Sequence, residues 1–332
     1  MGRSPAPVEG VPVRERVLVA GLCVVAALAG GCATDPPPRA PGLQGTTTSL
    51  PLPENARMLE SSVATPPAPD CGDPTASLPP DPNATGPAID RIRTRGRLIV
   101  GLDTGSNLMS YRDTATGRIT GFDVDIAREI ARDLLGDPDL VDYRILSSAE
   151  REKALQDSTV DIVAKTMSIT CARREKVDFS TEYFRAQQRV LVVRGSDIRS
   201  AADLAGRRVC IVEGTTSLLR MREVQPSASI LTVPSWADCL VVLQQQQVDA
   251  VSTDDTILAG LASQDPYLEL VGPSLGSEPY GIGIRLGSDE LVRFVNATLE
   301  RIRSDGTWTA LYDKYLRVLG PTPSPPTPNY RK

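Results

Sequence analysis

Thr166-Met-Ser-Ile-Thr-Cys-Ala-Arg-Arg-Glu-Lys-Val-Asp-Phe-Ser180 is the stretch on which the reading of the fold turns. Val160 to Ala164, just before it, is an apolar run that reads as a buried strand ending at Lys165. Thr170 then stands where an N-cap belongs, opening a short helical segment. Ser168 and Thr170 bring hydroxyls, the helix start brings free N–H groups, and Arg173 brings a guanidinium able to grip both oxygens of a carboxylate. The stretch therefore reads as a carboxylate site; the plain alternative is a strand–turn–helix carrying a solvated arginine.

Working outward, strand-like and helix-like segments alternate. Leu98 to Leu102, Tyr143 to Leu146, Arg189 to Val193, Val209 to Val212, Ala250-Val251 and Gly281 to Ile284 are short and apolar. Helical spacing covers Asp123 to Leu135, Glu150 to Gln156, Trp236 to Gln246, Thr256 to Ala262, Leu291 to Arg303 and Thr307 to Leu316. Such alternation predicts an α/β protein with parallel-type sheets flanked by helices. Two βα series joined by two extended segments predict a bilobal body with a two-stranded hinge. Residues 89–192 plus 284–320 form lobe 1 in this reading, and 193–283 form lobe 2. Ligands of such folds sit in the crevice at the carboxyl ends of strands, where Arg173 lies.

The ends of the chain read differently. Arg14 and Arg16 precede an apolar stretch, Val17 to Leu28, too short for a comfortable membrane span. It runs into Leu28-Ala29-Gly30-Gly31-Cys32, which resembles a bacterial lipobox, although Ala29 stands where Leu is usual. Residues 1–31 thus read as a lipoprotein signal peptide with Cys32 as the lipidation site; a plain secretory signal is the alternative. Residues 32–88, crowded with Pro, Ser, Thr and Gly, read as a disordered tether, and 321–332 as a Pro-rich tail. Outside Cys23 and Cys32, four cysteines remain: Cys71, Cys171, Cys210 and Cys239. In an exported protein these suggest two disulfides, for which three pairings exist. Cys210–Cys239 is favoured because the two lie close in sequence within one lobe, leaving Cys71–Cys171. A four-cysteine zinc site is the alternative, without any CxxC spacing to support it.

Composition narrows the function. The chain has 332 residues, 41% hydrophobic and 23% charged, so it is long enough for two domains. Its net charge of −5 and lack of a basic cluster argue against nucleic acid. It contains no histidine, which excludes a Ser–His or Cys–His nucleophile. No cofactor or metal is expected, and the body reads as a monomer.

Six segments in order carry a likeness to a known family: Gly121-Phe122-Asp123-Val124-Asp125, Ser147-Ser148-Ala149-Glu150-Arg151, Thr166 to Ser180, Gly214-Thr215-Thr216-Ser217, Thr253-Asp254-Asp255 with Ile257 to Gly260, and Tyr280-Gly281-Ile282. Over Arg95 to Gly320 the chain resembles the polar-amino-acid solute-binding proteins of ABC transporters, with their type II periplasmic-binding fold. Within that group it is similar to actinobacterial and mycobacterial lipoproteins that bind glutamate, aspartate or glutamine.

The resemblance implies a receptor that closes on an amino acid. Arg173, Ser168 and the backbone near Thr166 would hold the α-carboxylate from lobe 1, and Thr215 and Thr216 from lobe 2. Asp254 would accept the α-ammonium. Arg151 and Ser148 would face the side chain, a second guanidinium favouring an acidic ligand. Each has a plainer reading. Arg151 could pair with Glu150 or Glu152 in solvent, and Asp254 could cap the helix from Thr256 while Asp255 takes the amine. Asp123 and Asp125 read as structural acids at a helix start. Tyr111 and Tyr280 fit hinge packing as well as ligand contact, and Lys165 stands where the family often has a small residue. Glutamine binders sandwich their ligand between aromatics, but here the matching positions are about Ser106 and Ser148. Asp103 would repel an acidic side chain, unless it pairs with Arg151 or admits the amides. The partner is expected to be an ABC permease or a signalling membrane protein. A carboxylate-driven dehydratase of the same fold, or an envelope lipoprotein with a vestigial cleft, are the other classes considered.

Overall fold

Three sheets arise from the alternation. The computed structural model describes residues 50–59 and 69–331. Arg57–Met58 form β1 and Pro87–Arg95 form α1. Then come β2 (Leu98–Leu102), β3 (Gly105–Ser106), β4 (Ser110–Arg112), β5 (Ile119–Thr120), α2 (Phe122–Leu135), β6 (Val141–Ile145), α3 (Arg151–Gln156), β7 (Ile162–Val163), α4 (Cys171–Arg174) and β8 (Val177–Phe179). A long strand, β9 (Phe184–Val193), leads into β10 (Arg208–Val212), α5 (Thr216–Val224), β11 (Ser229–Val233), α6 (Trp236–Gln244), β12 (Ala250–Asp254) and α7 (Asp255–Ala262). A second long strand, β13 (Leu268–Tyr280), returns the chain to β14 (Gly283–Arg285), α8 (Asp289–Ser304) and α9 (Thr307–Tyr315).

Lobe 1 holds the sheet β6-β2-β7-β14-β8, in which β6, β2 and β7 are parallel and β14 is antiparallel to both its neighbours. Lobe 2 holds β1-β11-β10-β12-β9-β13, with β11, β10 and β12 parallel and β1, β9 and β13 antiparallel to their neighbours. The helix α2 exists because Phe122, Ile126, Ala127, Ile130, Ala131 and Leu134 recur at helical spacing, and all are buried. Phe122 meets Phe184 and Trp308 edge-on, which ties α2 to α9 and to the first residue of β9. Lobe 2 buries its own core of Val190, Leu191, Val209, Ile211, Val251 and Leu258.

The hinge is the antiparallel pair β9/β13, with Phe184 opposite Tyr280 and Gln188 opposite Gly276. From Gln188 onward β9 also pairs with β12. The six-stranded sheet therefore begins several residues before the 192/193 boundary read from the sequence. Among the elements that escape periodicity are two more strands of this sheet. The strand β11 is five residues long, and β13 mixes buried and exposed positions without strict alternation.

The tether read over 32–88 also needs correction at its described end. Arg57 and Met58 pair antiparallel with Thr232 and Leu231, covering the edge of lobe 2. Near lobe 1, the Ser77 hydroxyl donates to the Phe179 carbonyl and accepts from Asn296. The tail closes over the same place: Ser77 N–H donates to Asn329 O, and Arg331 N–H donates to Ser77 O. Side-chain and tail partners here replace sheet pairing, so apolar periodicity could not reveal the order. The apolar stretch 17–28 and Cys32 lie outside the described residues.

Cys71 bonds to Cys171 and Cys210 to Cys239, which consumes the four cysteines and displaces the zinc reading. The Cys210–Cys239 crosslink, 29 residues apart, ties β10 to α6. On the chain-entropy account it stabilises by about 3–4 kcal/mol. Replacing both cysteines by serine should lower the denaturant midpoint of lobe 2, an effect read by chemical unfolding.

Asp123 has the structural role read for it: it accepts from Thr166 N–H at 2.8 Å and from the Tyr183 hydroxyl at 2.7 Å, joining α2, the end of β7 and the start of β9. Burial, the largest cause, raises its pKa from 3.8 to about 7. An acid raised on folding binds more protons folded than unfolded between those two values, so its contribution to stability falls as pH rises from about 4 to about 7. Asp123→Asn should flatten that part of a melting-temperature profile; an unchanged slope would exclude Asp123 as its source.

Candidate functional site

The site forms where the carboxyl ends of β7, β10 and β12 meet across the lobes. Thr170 caps α4 as read, accepting from Arg173 N–H at 3.2 Å. This holds Arg173 pointing back along β7's continuation, where it donates to the Ser168 carbonyl at 2.7 Å. Glu152 lies 3.6 Å from its Nε. Its remaining reach crosses the cleft to the Gly214 carbonyl at 3.3 Å. Arg173 is buried, and desolvation lowers its pKa.

A small space of about 10 Å³ lies at this junction, lined by Ser148, Arg151, Thr166, Ser168, Arg173, Thr215, Thr216, Trp236 and Asp254 among others. The sequence reading placed all of these here except Trp236. Within the set, the roles differ from the expected ones. The Thr166 N–H is committed to Asp123. The Thr215 hydroxyl caps α5, accepting from Leu218 N–H and donating to the Val212 carbonyl. The Thr216 hydroxyl donates to Glu278 at 2.8 Å. Thus the Thr215 and Thr216 hydroxyls expected to hold a carboxylate already serve a cap and a buried acid, while the Ser168 hydroxyl meets only that of Thr216, at 3.4 Å.

Arg151 differs most. It is buried as an inward-facing residue rather than solvated, and its donors go to the carbonyls of Ser148, Lys165, Thr166 and Gly214. Burial and the neighbouring Arg173 lower its pKa to about 9. Four of its hydrogen bonds thus go to the backbone of both lobes rather than to a side chain. Asp103 does not pair with it either: its partner is Lys165, at 2.5 Å.

Asp254 is the acidic pole. One oxygen accepts from the Tyr280 hydroxyl at 2.5 Å, and the other is buried with no hydrogen-bond partner among the described residues. Burial, then the nearby Glu278, raises its pKa well above the carboxylate range. It makes no side-chain cap for α7. Asp255 does the local work instead, accepting from Gln187 and Thr256 N–H groups. Tyr280 is hinge packing and a hydrogen-bond donor at once.

Glu278 and Trp236 were missed in the sequence. A tryptophan at the first turn of a capped helix looks like core, and an acid inside a long β-strand carries no local signal.

The lobes meet closely at two glycines. A Cβ on Gly214 (φ +73°) would lie 2.6 Å from the Ala149 Cα, and one on Gly260 would lie 2.2 Å from the Asn107 carbonyl oxygen. Asn107 also donates to Gly260 O and Ser263 across the cleft.

The architecture is that of a two-lobed solute receptor. Residues 98–318 match the bacterial extracellular solute-binding proteins, family 3, and the chain belongs to that family. It is 37% identical over 227 residues to the ABC transporter glutamine-binding protein GlnH of Bacillus subtilis, spanning 68% of this chain and 83% of that one. Over 210 residues it is 34% identical to the glutamate-binding protein GluB of Corynebacterium glutamicum, spanning 60% of this chain and 71% of that one. Among solved structures, a variant of ArgBP from T. maritima superposes with a TM-score of 0.65 at 30% identity, covering 69% of this chain and 99% of that one. The ancestral amino acid-binding protein AncCDT-1, a precursor of cyclohexadienyl dehydratase, gives a TM-score of 0.64 at 33% identity over 69% of this chain and 99% of that one. The chain is thus an amino-acid-binding solute receptor of the ABC-transporter type, and its curated relatives named here are binding proteins, not enzymes.

If lobe contact accompanies binding, Gly260→Ala should prop the cleft open. Alanine is the better helix former in α7, so lobe stability should hold. Amino-acid affinity should fall about ten-fold or more, a loss of ~1.4 kcal/mol, and small-angle scattering with ligand should show a larger radius of gyration. An unchanged Kd would mean the approach at Asn107 is not part of the bound form.

Proposed function

We propose that this protein is a lipid-anchored extracytoplasmic receptor that takes a polar, acidic amino acid into the interlobe cleft and presents it to a membrane partner. Glutamate and aspartate fit first, asparagine and glutamine second. The observation that carries the reading is the unpartnered, buried Asp254 oxygen in a space that Arg173 also lines. A buried carboxylate without a partner is costly, and an α-ammonium is its natural complement. The nearby guanidinium suits the α-carboxylate. Relatives named for glutamine and glutamate binding support an acid or amide ligand. The anchor at Cys32 rests on the lipobox-like sequence, and the likeness to a glutamine-binding protein of an ABC transporter supports an ABC permease as the partner, with a membrane sensor as the other candidate.

Isothermal titration against glutamate, aspartate, glutamine, asparagine, arginine and an apolar control tests the ligand class. Arg173→Ala should weaken every amino acid about a hundred-fold or more, since truncating one member of a buried ion pair costs ~3–5 kcal/mol. An unchanged affinity would remove Arg173 from the site.

Proton release tests Asp254. Burial favours its neutral form, whereas pairing with an ammonium favours the ionised form, so binding should expel a proton. Affinity should therefore rise with pH across its titration. Titrations in two buffers of different ionisation enthalpy should show the released proton, and Asp254→Asn should abolish it. Binding heats independent of buffer would place the ammonium elsewhere.

A further inference from the structure

We propose that Lys165, through its pairing with Asp103, selects the side chain this receptor accepts, converting a carboxylate that would attract amides or cations into a subsite for an acidic side chain. This rests on the receptor reading above.

The pairing follows from sheet register. Strands β2 and β7 are parallel neighbours with Gly101 opposite Val163, so two residues further on Asp103 comes beside Lys165 at the carboxyl ends of both strands. Lys165 Nζ lies 2.5 Å from Asp103 Oδ2, with Lys165 only 4% exposed. Asp103 is further held by the Ser106 N–H at 3.3 Å and the Ser106 hydroxyl at 3.0 Å. Both of its oxygens are thus occupied.

The pair stands where a ligand side chain would run. Beside the Arg173–Asp254 space lies a second cavity of about 400 Å³, lined by Asp103, Thr104, Ser147, Lys165 and others. The two cavities share Ser148 and Trp236. An amino acid held by its α-groups at Arg173 and Asp254 would extend past these residues toward Lys165.

Charge then decides the selection. Asp103 alone presents an acceptor and a negative charge, suited to amide N–H groups, ammonium or guanidinium. With Lys165 the pair is neutral, and an ammonium has three donors. Among the described residues Lys165 spends them on Asp103 alone. The remaining donors suit a carboxylate, with which a charge-assisted hydrogen bond forms. Arg151 is largely committed elsewhere, with four hydrogen bonds to backbone carbonyls.

The test is the ratio of affinities, which a merely structural role would not move. In the unsubstituted protein, titration should rank glutamate or aspartate above glutamine, asparagine and arginine. Lys165→Met should reduce the acidic-to-amide ratio about ten-fold or more, the scale of one charge-assisted hydrogen bond, and Lys165→Arg should largely keep it. Asp103→Asn, which leaves the lysine charge and removes its competitor, should raise the ratio several-fold, and it keeps the idea testable if Lys165→Met does not fold. Equal losses for all ligands in Lys165→Met, or an unchanged or lowered ratio in Asp103→Asn, would make the pair structural and overturn the assignment. Silence of the unsubstituted protein toward every amino acid would instead overturn the receptor reading itself.

Discussion

One backbone carbonyl organises the cleft. Gly214 O, at the turn between β10 and α5, receives guanidinium donors from both Arg151 and Arg173 of the opposite lobe. Two buried cations can share a single neutral acceptor only if each is also held within its own lobe. The Ser148, Lys165 and Thr166 carbonyls do this for Arg151, and the Ser168 carbonyl with Glu152 does it for Arg173. The acceptor can come so close because residue 214 is glycine: its positive φ and the 2.6 Å approach to Ala149 leave no room for a Cβ. The contact lies at the start of α5, beside Thr216, whose hydroxyl donates to Glu278.

The buried charges are arranged in opposed groups. Lys165 meets Asp103, Arg173 meets Glu152, and Asp254 lies near Glu278 with one oxygen left over. Desolvation pushes Arg151, Lys165, Arg173 and Asp254 toward neutrality, and it is the first cause of the shift at each. Local pairing answers that pressure at Lys165 and Arg173. At Asp254 nothing within the described residues does so completely, and Tyr280 satisfies one oxygen only. On the proposed reading, that imbalance is what the α-ammonium of a bound amino acid would answer.

Much of this was legible in the chain itself. The strand Leu98–Leu102, the helix α2 and the final helices α8 and α9 stand close to where the sequence placed them: the strand because its short apolar run is buried almost throughout, the helices because apolar residues recur along them at helical spacing. The pairing Cys210–Cys239 followed from proximity in sequence, and Thr170 as a cap followed from its chemistry. The membership of the cavity was legible too, but not the job of each member. A sequence shows that Arg151 is an arginine; only the fold shows that its partners are carbonyls. Strand β13 and the packing of residues 73–77 with the tail were hidden because cross-chain partners, not local periodicity, determine them.

The same partners change what the N-terminal region can do. Read as a tether to residue 88, it would give an anchor at Cys32 a chain of 56 residues (88 − 32) before the body begins. Arg57 is already part of the lobe 2 sheet, which leaves 25 (57 − 32). Fully extended, that shorter length spans at most about 90 Å, against about 200 Å for the longer one. The chain also enters at the β11 edge of lobe 2, while Cys71 is bonded to α4 of lobe 1, next to Arg173. On the proposed anchoring at Cys32, attachment would run through the lobe that carries Asp254, over less than half the length of chain that composition alone implied. Presentation of a ligand to a membrane partner would then be constrained in orientation as well as in reach.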